Sequence, residues 1–204
     1  MAQRFAVFID GGFVTKQLEQ ESGHFPEADE ILHLVDGLRQ HERLAGHELL
    51  RIYFYDAPPF DGKGTNPISK KEENFAQTPF ANKYRALLDR LELCSDVAVR
   101  RGTTVMSGWK LGRKALAELA EKPRPVTAHD LVPNIAQKGV DLRVALDIAS
   151  VSLKQIVETI VLVSGDSDLV PAMKFARKEG VKVYLQPLKA HIYRDMRVHA
   201  DFVF

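Results

Sequence analysis

Residues 140–186 pass through an apolar helix pattern, an uninterrupted apolar strand, an acidic turn, a second helix pattern and another strand with almost no spacer. That succession most restricts the fold. Strands apolar along their whole length must be covered on both faces, and helical crossovers of this length join parallel neighbours. VDLRVALDIASVSLK reads as the first helix, with Leu142, Ala145, Leu146 and Ala149 expected on its apolar stripe. TIVLVS is the buried strand and GDSD its turn. LVPAMKFARKEG is the next helix, ended by Gly180, and VKVYLQP the strand after it.

The N-terminal part repeats the theme. RFAVFI (4–9) is a short apolar strand stopped by Asp10-Gly11-Gly12. A helix follows from about Gly12, and His24-Phe25-Pro26 interrupts it. Asp29 is expected to cap a second helix carrying Leu32, Val35, Leu38 and Leu44. A strand in LLRIYFYDA then ends at Pro58-Pro59. Residues 57–80, rich in Pro, Gly, Asn and Lys, read as one long loop. A helix from about Phe80 to Leu93 turns Tyr84, Leu87, Leu88 and Leu91 inward. VAVRRGTTV alternates like a strand, MSGWKLG is expected to turn back as a hairpin, and ALAELAEK is helical until Pro123 and Pro125. A final helix from about Ala190 leads to a terminal strand, FVF. The expected fold class is α/β, with a mostly parallel central sheet covered on both faces in a single domain over residues 1–204.

In open parallel sheets, ligands bind beyond the carboxyl ends of the strands. Two strands here end in acid: FAVFI runs into Asp10, and IVLVS runs into Gly165-Asp166-Ser167-Asp168. If those strands are neighbours, three carboxylates converge, and their mutual repulsion and desolvation call for a cation. The donors are carboxylate, hydroxyl and carbonyl oxygens, which favour Mg²⁺ or Mn²⁺ over zinc. Asp141, in Lys138-Gly139-Val140-Asp141, opens the helix before the acidic strand, where it either caps the helix or joins the cluster. Asp147 lies about a third of a turn around that helix from Asp141. Taken singly, each acidic motif also reads as a plain turn or helix cap. Their common place after apolar strands is what favours chemistry.

Charge is unevenly spread: residues 1–62 carry a net −6, residues 63–125 a net +6, and residues 126–204 a net +1. A basic middle segment suits a polyanion as well as it suits plain solvation. Arg100, Arg101, Lys110, Arg113 and Lys114 surround Trp109, an arrangement that holds single-stranded nucleic acid by charge and stacking unless Trp109 packs on the core. Lys138 lies next to the acidic motif in sequence and is a further candidate phosphate contact. The single cysteine, Cys94, excludes an internal disulfide and is expected in the core. With no signal-peptide pattern and no spanning apolar run, the expected setting is cytoplasmic, without membrane contact.

At these residues the chain resembles a known family. FIDGG (8–12), KGVDLRVALD (138–147) and VSGDSDLVPAMKFARKEGVKV (163–183) resemble the three signature blocks of NYN domains, more narrowly those of the LabA-like branch of the PIN-like superfamily. Residues 57–130 match only loosely and read as a basic insertion. The resemblance implies a PIN-like three-layer α/β/α sandwich and Mg²⁺- or Mn²⁺-dependent nuclease activity, usually on RNA, and an endoribonuclease is the leading expectation. By that likeness Asp10, Asp141, Asp166 and Asp168 form the catalytic, metal-binding cluster. Asp147 is accessory, and Ser164 and Ser167 hold the turn or a metal-bound water. Water activated at the metal would attack the phosphodiester of RNA, most simply single-stranded RNA. Many NYN domains carry Asp-Gly-x-Asn where this chain has Asp10-Gly11-Gly12-Phe13. A non-catalytic module of the same fold, binding RNA or a protein partner, is therefore the alternative. A phosphatase for small phosphate esters is a third reading, and self-association stays open.

Overall fold

A computed structural model describes residues 3–204. The chain falls into two compact units, one of residues 1–56, 86–102 and 139–204, the other of residues 57–85 and 103–138.

The first unit begins with β1 (Arg4–Asp10), α1 (Gly11–Ser22), α2 (Ala28–Gln40) and β2 (Glu48–Asp56). Five consecutive β1 residues, Phe5 to Ile9, are buried, so the strand sits mid-sheet with both faces covered. Glu27 rather than Asp29 precedes α2 and forms a capping box with Glu30. Of the second unit's pieces, β3 (Lys63–Thr65) and β4 (Glu72–Asn74) come next in the chain. Helix α3 (Pro79–Glu92) follows, and Tyr84, Leu87, Leu88 and Leu91 are all buried along it. β5 (Val97–Arg101) returns to the first unit. β6 (Thr103–Leu111), α4 (Arg113–Glu121) and β7 (Leu131–Lys138) belong to the second. The first unit is completed by α5 (Val140–Leu153), β8 (Thr159–Val163), α6 (Val170–Lys178), β9 (Lys182–Gln186), α7 (Arg194–Val198) and β10 (Phe202–Val203).

The six strands of the first unit form one parallel sheet in the order β10-β9-β8-β1-β2-β5. The chain moves outward from β1 to β2 and β5, then resumes on the other side of β1 with β8, β9 and β10. Right-handed crossovers made in opposite directions place their helices on opposite faces. The sheet is thus flanked by helices on both sides, the PIN-like α/β architecture. Between β1 and β8 the winding reverses, which leaves a crevice beyond the strands' carboxyl ends.

Gly11 shows how tightly that end is packed. A Cβ there would fall 2.6 Å from Asp56 Oδ2 and 2.7 Å from the ring of Phe54, which is fully buried. Gly11→Ala is expected to destabilise the protein by about 1–3 kcal/mol through overpacking, read as a lower urea midpoint.

The second unit contains two antiparallel ribbons, β3-β4 and β6-β7. Asn66, only 4% exposed, ties down the first: its carbonyl oxygen accepts from the Ile68 and Ser69 N–H groups, and its Nδ2 donates to the Ala128 carbonyl. Arg124 grips Asp130 with two parallel hydrogen bonds of 2.6 and 2.7 Å, which holds that buried carboxyl well below its usual range.

Besides the Asp29 cap, four sequence expectations need correction. The segment 57–80 is not one loop, since it contains β3, β4 and the short helical turn Phe75–Gln77. MSGWKLG does not turn back: β6 continues through it to Leu111 with an irregular register between Met106 and Trp109, and its partner is β7, beyond α4. On α5 the buried residues include Val140, Val144, Ile148 and Val151, while Leu142 and Leu146 are 64% and 59% exposed. Cys94 is half-buried, its thiol directed at the Arg90 carbonyl, and not a core residue.

Candidate functional site

The carboxyl end of the sheet gathers acids from four elements of the first unit. Asp10 is the last residue of β1 and Asp56 the last of β2. Asp141 stands in the first turn of α5, and Asp166 and Asp168 follow β8. Strands β1 and β8 pair directly, with Ile9 opposite Val163, so their acidic ends lie side by side.

Asp10 caps α1 by accepting the Phe13 N–H at Oδ1, 3.1 Å away. Its other oxygen, Oδ2, accepts from Ser164 Oγ at 2.9 Å. Ser164 is fully buried and in turn accepts the Asp166 N–H at 3.0 Å. One hydroxyl therefore fastens the first acidic strand end to the second. Asp166 Oδ1 accepts the Asp168 N–H at 2.9 Å, which starts the helical turn Ser167–Leu169. A Cβ on Gly165 would fall 2.8 Å from the Phe13 ring, so Phe13 packs directly on this acidic turn.

The electrostatics are those of like charges. Burial pushes the Asp10 carboxyl up to about 6, against an ordinary 3.8. Its bonds from Phe13 and Ser164 pull the other way, and the charges of Asp56 and Asp141 add to the rise. Asp141 is also raised, first by partial desolvation and then by Asp166 and Asp168. Among the described residues, no lysine or arginine pairs with Asp10, Asp141, Asp166 or Asp168. An all-oxygen donor set with unbalanced charge is chemically suited to a hard divalent cation. Among the described residues, no group of three or more His, Cys, Asp or Glu side chains is arranged to hold a metal ion by itself.

Asp147 stands apart from this set. Its Oδ2 accepts from the Tyr55 hydroxyl at 2.9 Å and from Arg100 Nε at 3.0 Å. The Arg100 guanidinium also lies over the Tyr53 ring, 5.5 Å from its centroid and inside the reach of about 6 Å for such contacts. Arg101 is held by Asp89 and Glu92. Both arginines are thus already engaged with acids. In the second unit Lys110, Arg113, Lys114 and Lys138 are exposed, and Lys114 has only a loose 3.9 Å approach to Glu118. Trp109 is half-buried beside Phe75, with ring centroids 6.4 Å apart. Ser167 is half-exposed at the start of its helical turn.

The sequence reading missed Asp56. It is fully buried, acts on Asp10 and lies against Gly11. The signal was the same one that marked Asp10, an apolar strand ending in aspartate.

A family model for the NYN domain matches residues 66–201, two-thirds of the chain. The chain belongs to the NYN-domain family. The match covers Asp141, Asp166 and Asp168. β1 and Asp10 lie outside it, and the sheet places them beside β8. The fold is similar to that of a crystal structure of a protein of unknown function from Vibrio parahaemolyticus. That likeness has a TM-score of 0.54 at 12% identity and covers 99% of this chain and 91% of the other. No curated protein matches this NYN chain significantly.

Proposed function

We propose that this NYN domain is a metal-dependent ribonuclease of the LabA-like branch, cytoplasmic, acting on single-stranded RNA. In this reading the chain is one domain whose basic residues 57–130 are an insertion. The observation that carries it is the Asp10 carboxyl, buried at a sheet switch point among acids of its own sign. A fold has little reason to bury unbalanced charge at a ligand-binding edge unless a cation or substrate completes it.

Asp10, Asp141, Asp166 and Asp168 would hold Mg²⁺ or Mn²⁺, with burial first and the charge of Asp56 after it raising the Asp10 carboxyl. The cation, when bound, supplies charge for the phosphate oxygens and lowers the pKa of water. The protein's own part is positional. Ser164 fixes Asp10 Oδ2 relative to the Asp166 N–H, and Asp166 Oδ1 fixes the turn that carries Asp168. Without a cation, a proton on Asp10 relieves the repulsion near pH 6. Asp147 serves at one remove by orienting Tyr55 and Arg100. The exposed Lys110, Arg113, Lys114 and Lys138 would bind the RNA backbone.

The test is incubation of the purified protein with a mixed single-stranded RNA in Mg²⁺, in Mn²⁺ and in EDTA. Cleavage with either metal and none in EDTA is expected. Phe13, packed on the acidic turn where many family members have asparagine, favours a second reading, a non-catalytic module that holds RNA or a protein partner. Metal binding by calorimetry without cleavage under any condition would select that reading.

A further inference from the structure

The second unit has few buried side chains of its own, yet it is rich in rings. Phe60 and Phe75 are half-exposed, Phe80 is 57% exposed, and Tyr84 is buried beneath it. With Pro58 and Thr104 these rings line a cavity of about 180 Å³ that lies wholly within this unit. Phe60 and Phe75 stand 5.7 Å apart at 57°, and Phe80 and Tyr84 stand 5.3 Å apart at 55°. The rings of each pair are tilted rather than stacked flat, and Phe80 is the most exposed of the four.

Glycines let the rings sit where they do. A Cβ on Gly62 would fall 2.4 Å from Phe60 Cζ, and one on Gly64 would fall 3.1 Å from Phe75 Cε2. The hydroxyls at the wall are already engaged. Thr78 donates to the Phe75 carbonyl and accepts the Ala81 N–H, and Thr104 donates to the Pro58 carbonyl. An occupant would meet ring faces more than donors and acceptors.

No charged side chain lines the cavity, and the net charge of the unit that holds it points to its occupant. The unit holds eleven Lys and Arg against six Asp and Glu, a net +5, whereas the other unit is a net −4. Ring faces in a basic field suit a ligand that is anionic along its length and flat and apolar at intervals. We infer that the Phe60–Phe75–Phe80–Tyr84 cavity receives an unpaired nucleobase of single-stranded RNA, by stacking and with little preference for base identity. This rests on the RNA reading above and assigns part of the substrate grip to the second unit, separately from the acids.

The test is binding in EDTA, where cleavage plays no part. Fluorescence anisotropy of a labelled single-stranded RNA 12-mer is compared for wild type, Phe80→Ala and Phe60→Ala, with inorganic polyphosphate as a competitor that lacks bases. Phe80 is exposed enough for its truncation to leave the fold intact, which circular dichroism checks. Each variant is expected to lose about tenfold in RNA affinity, the cost of one stacked base, with polyphosphate affinity unchanged. Oligo-A and oligo-U should differ little. The single Trp109, beside Phe75, should change its fluorescence on RNA binding in wild type and less so in the variants. Unchanged RNA affinity in both variants overturns the inference and leaves the cavity to an apolar protein segment. Equal losses for RNA and polyphosphate overturn it as well, because the rings would then matter only for the charge layout. Pocket-dependent RNA binding by a protein that never cleaves would sink the nuclease reading alone.

Discussion

Asp10→Asn is expected to reduce metal-dependent RNA cleavage by at least about a hundredfold while making the cation-free protein harder to unfold at neutral pH. Residues that merely orient a ligand typically cost 10–100-fold when changed, so loss of a direct ligand should cost more. The gain in stability follows from burial. The Asp10 carboxyl rises from 3.8 to about 6 in the fold, so the folded state prefers it protonated. The stability that this proton contributes is complete below 3.8 and is lost as pH rises through about 6. At pH 7 the charged carboxylate therefore costs roughly 3 kcal/mol relative to the unfolded chain when no cation is bound. Asparagine keeps the oxygen that caps α1 and gives up about 1 kcal/mol at the Ser164 contact. A net gain of about 1–2 kcal/mol remains. Urea midpoints in EDTA at pH 5 and pH 7.5 check it, and the gap between variant and wild type should widen at the higher pH. Saturating Mn²⁺ should raise the midpoint of wild type and leave the variant's where it was.

The same comparison separates capping from metal binding. A side chain whose purpose is to cap a helix near solvent gains from the helix N-terminus and titrates low. Asp10 caps α1 and still titrates high, because burial outweighs the cap. A constant gap across pH would mean that Asp10 is a cap and little else.

Where the sequence was readable, one local rule was at work. A short apolar run ending in aspartate marked β1 and β8, because a doubly covered strand must be apolar and its end must face the solvent crevice. The pairing of β1 with β8 was not readable, since parallel neighbours about 150 residues apart share no local pattern. Asp56 obeyed the same rule and was passed over because Pro58-Pro59 made it look like a plain stop. β7 was hidden by Pro133, which argues against a strand by itself and is tolerated in a two-stranded ribbon. On α5 two apolar stripes share helical spacing, and periodicity cannot choose between them. Contact with the sheet selects Val144 and Ile148 over Leu142 and Leu146. Arg100 and Arg101 counted as free charge in sequence, whereas their acidic partners come from α5 and α3.

Ser164→Ala is expected to lower both stability and cleavage, opposite in its first effect to Asp10→Asn. The hydroxyl is fully buried and makes two bonds, donating to Asp10 Oδ2 and accepting the Asp166 N–H. Alanine fits the space but leaves the Asp166 N–H without that acceptor and Asp10 Oδ2 without that donor. An unmet polar group at a buried position costs about 1–3 kcal/mol, and the urea midpoint should fall accordingly. The loss of the Ser164 bond should also raise the Asp10 carboxyl further, because that bond is among the interactions that lower it. Cleavage should drop about 10–100-fold, the range for a group that positions ligands without being one. More Mn²⁺ should restore part of the activity, since the acids all remain and only their alignment is loosened. Asp10→Asn should not be rescued in this way. If Ser164→Ala loses stability but cleaves at the wild-type rate, the hydroxyl serves the turn alone, and the two acidic strand ends do not need to be held in register for the chemistry.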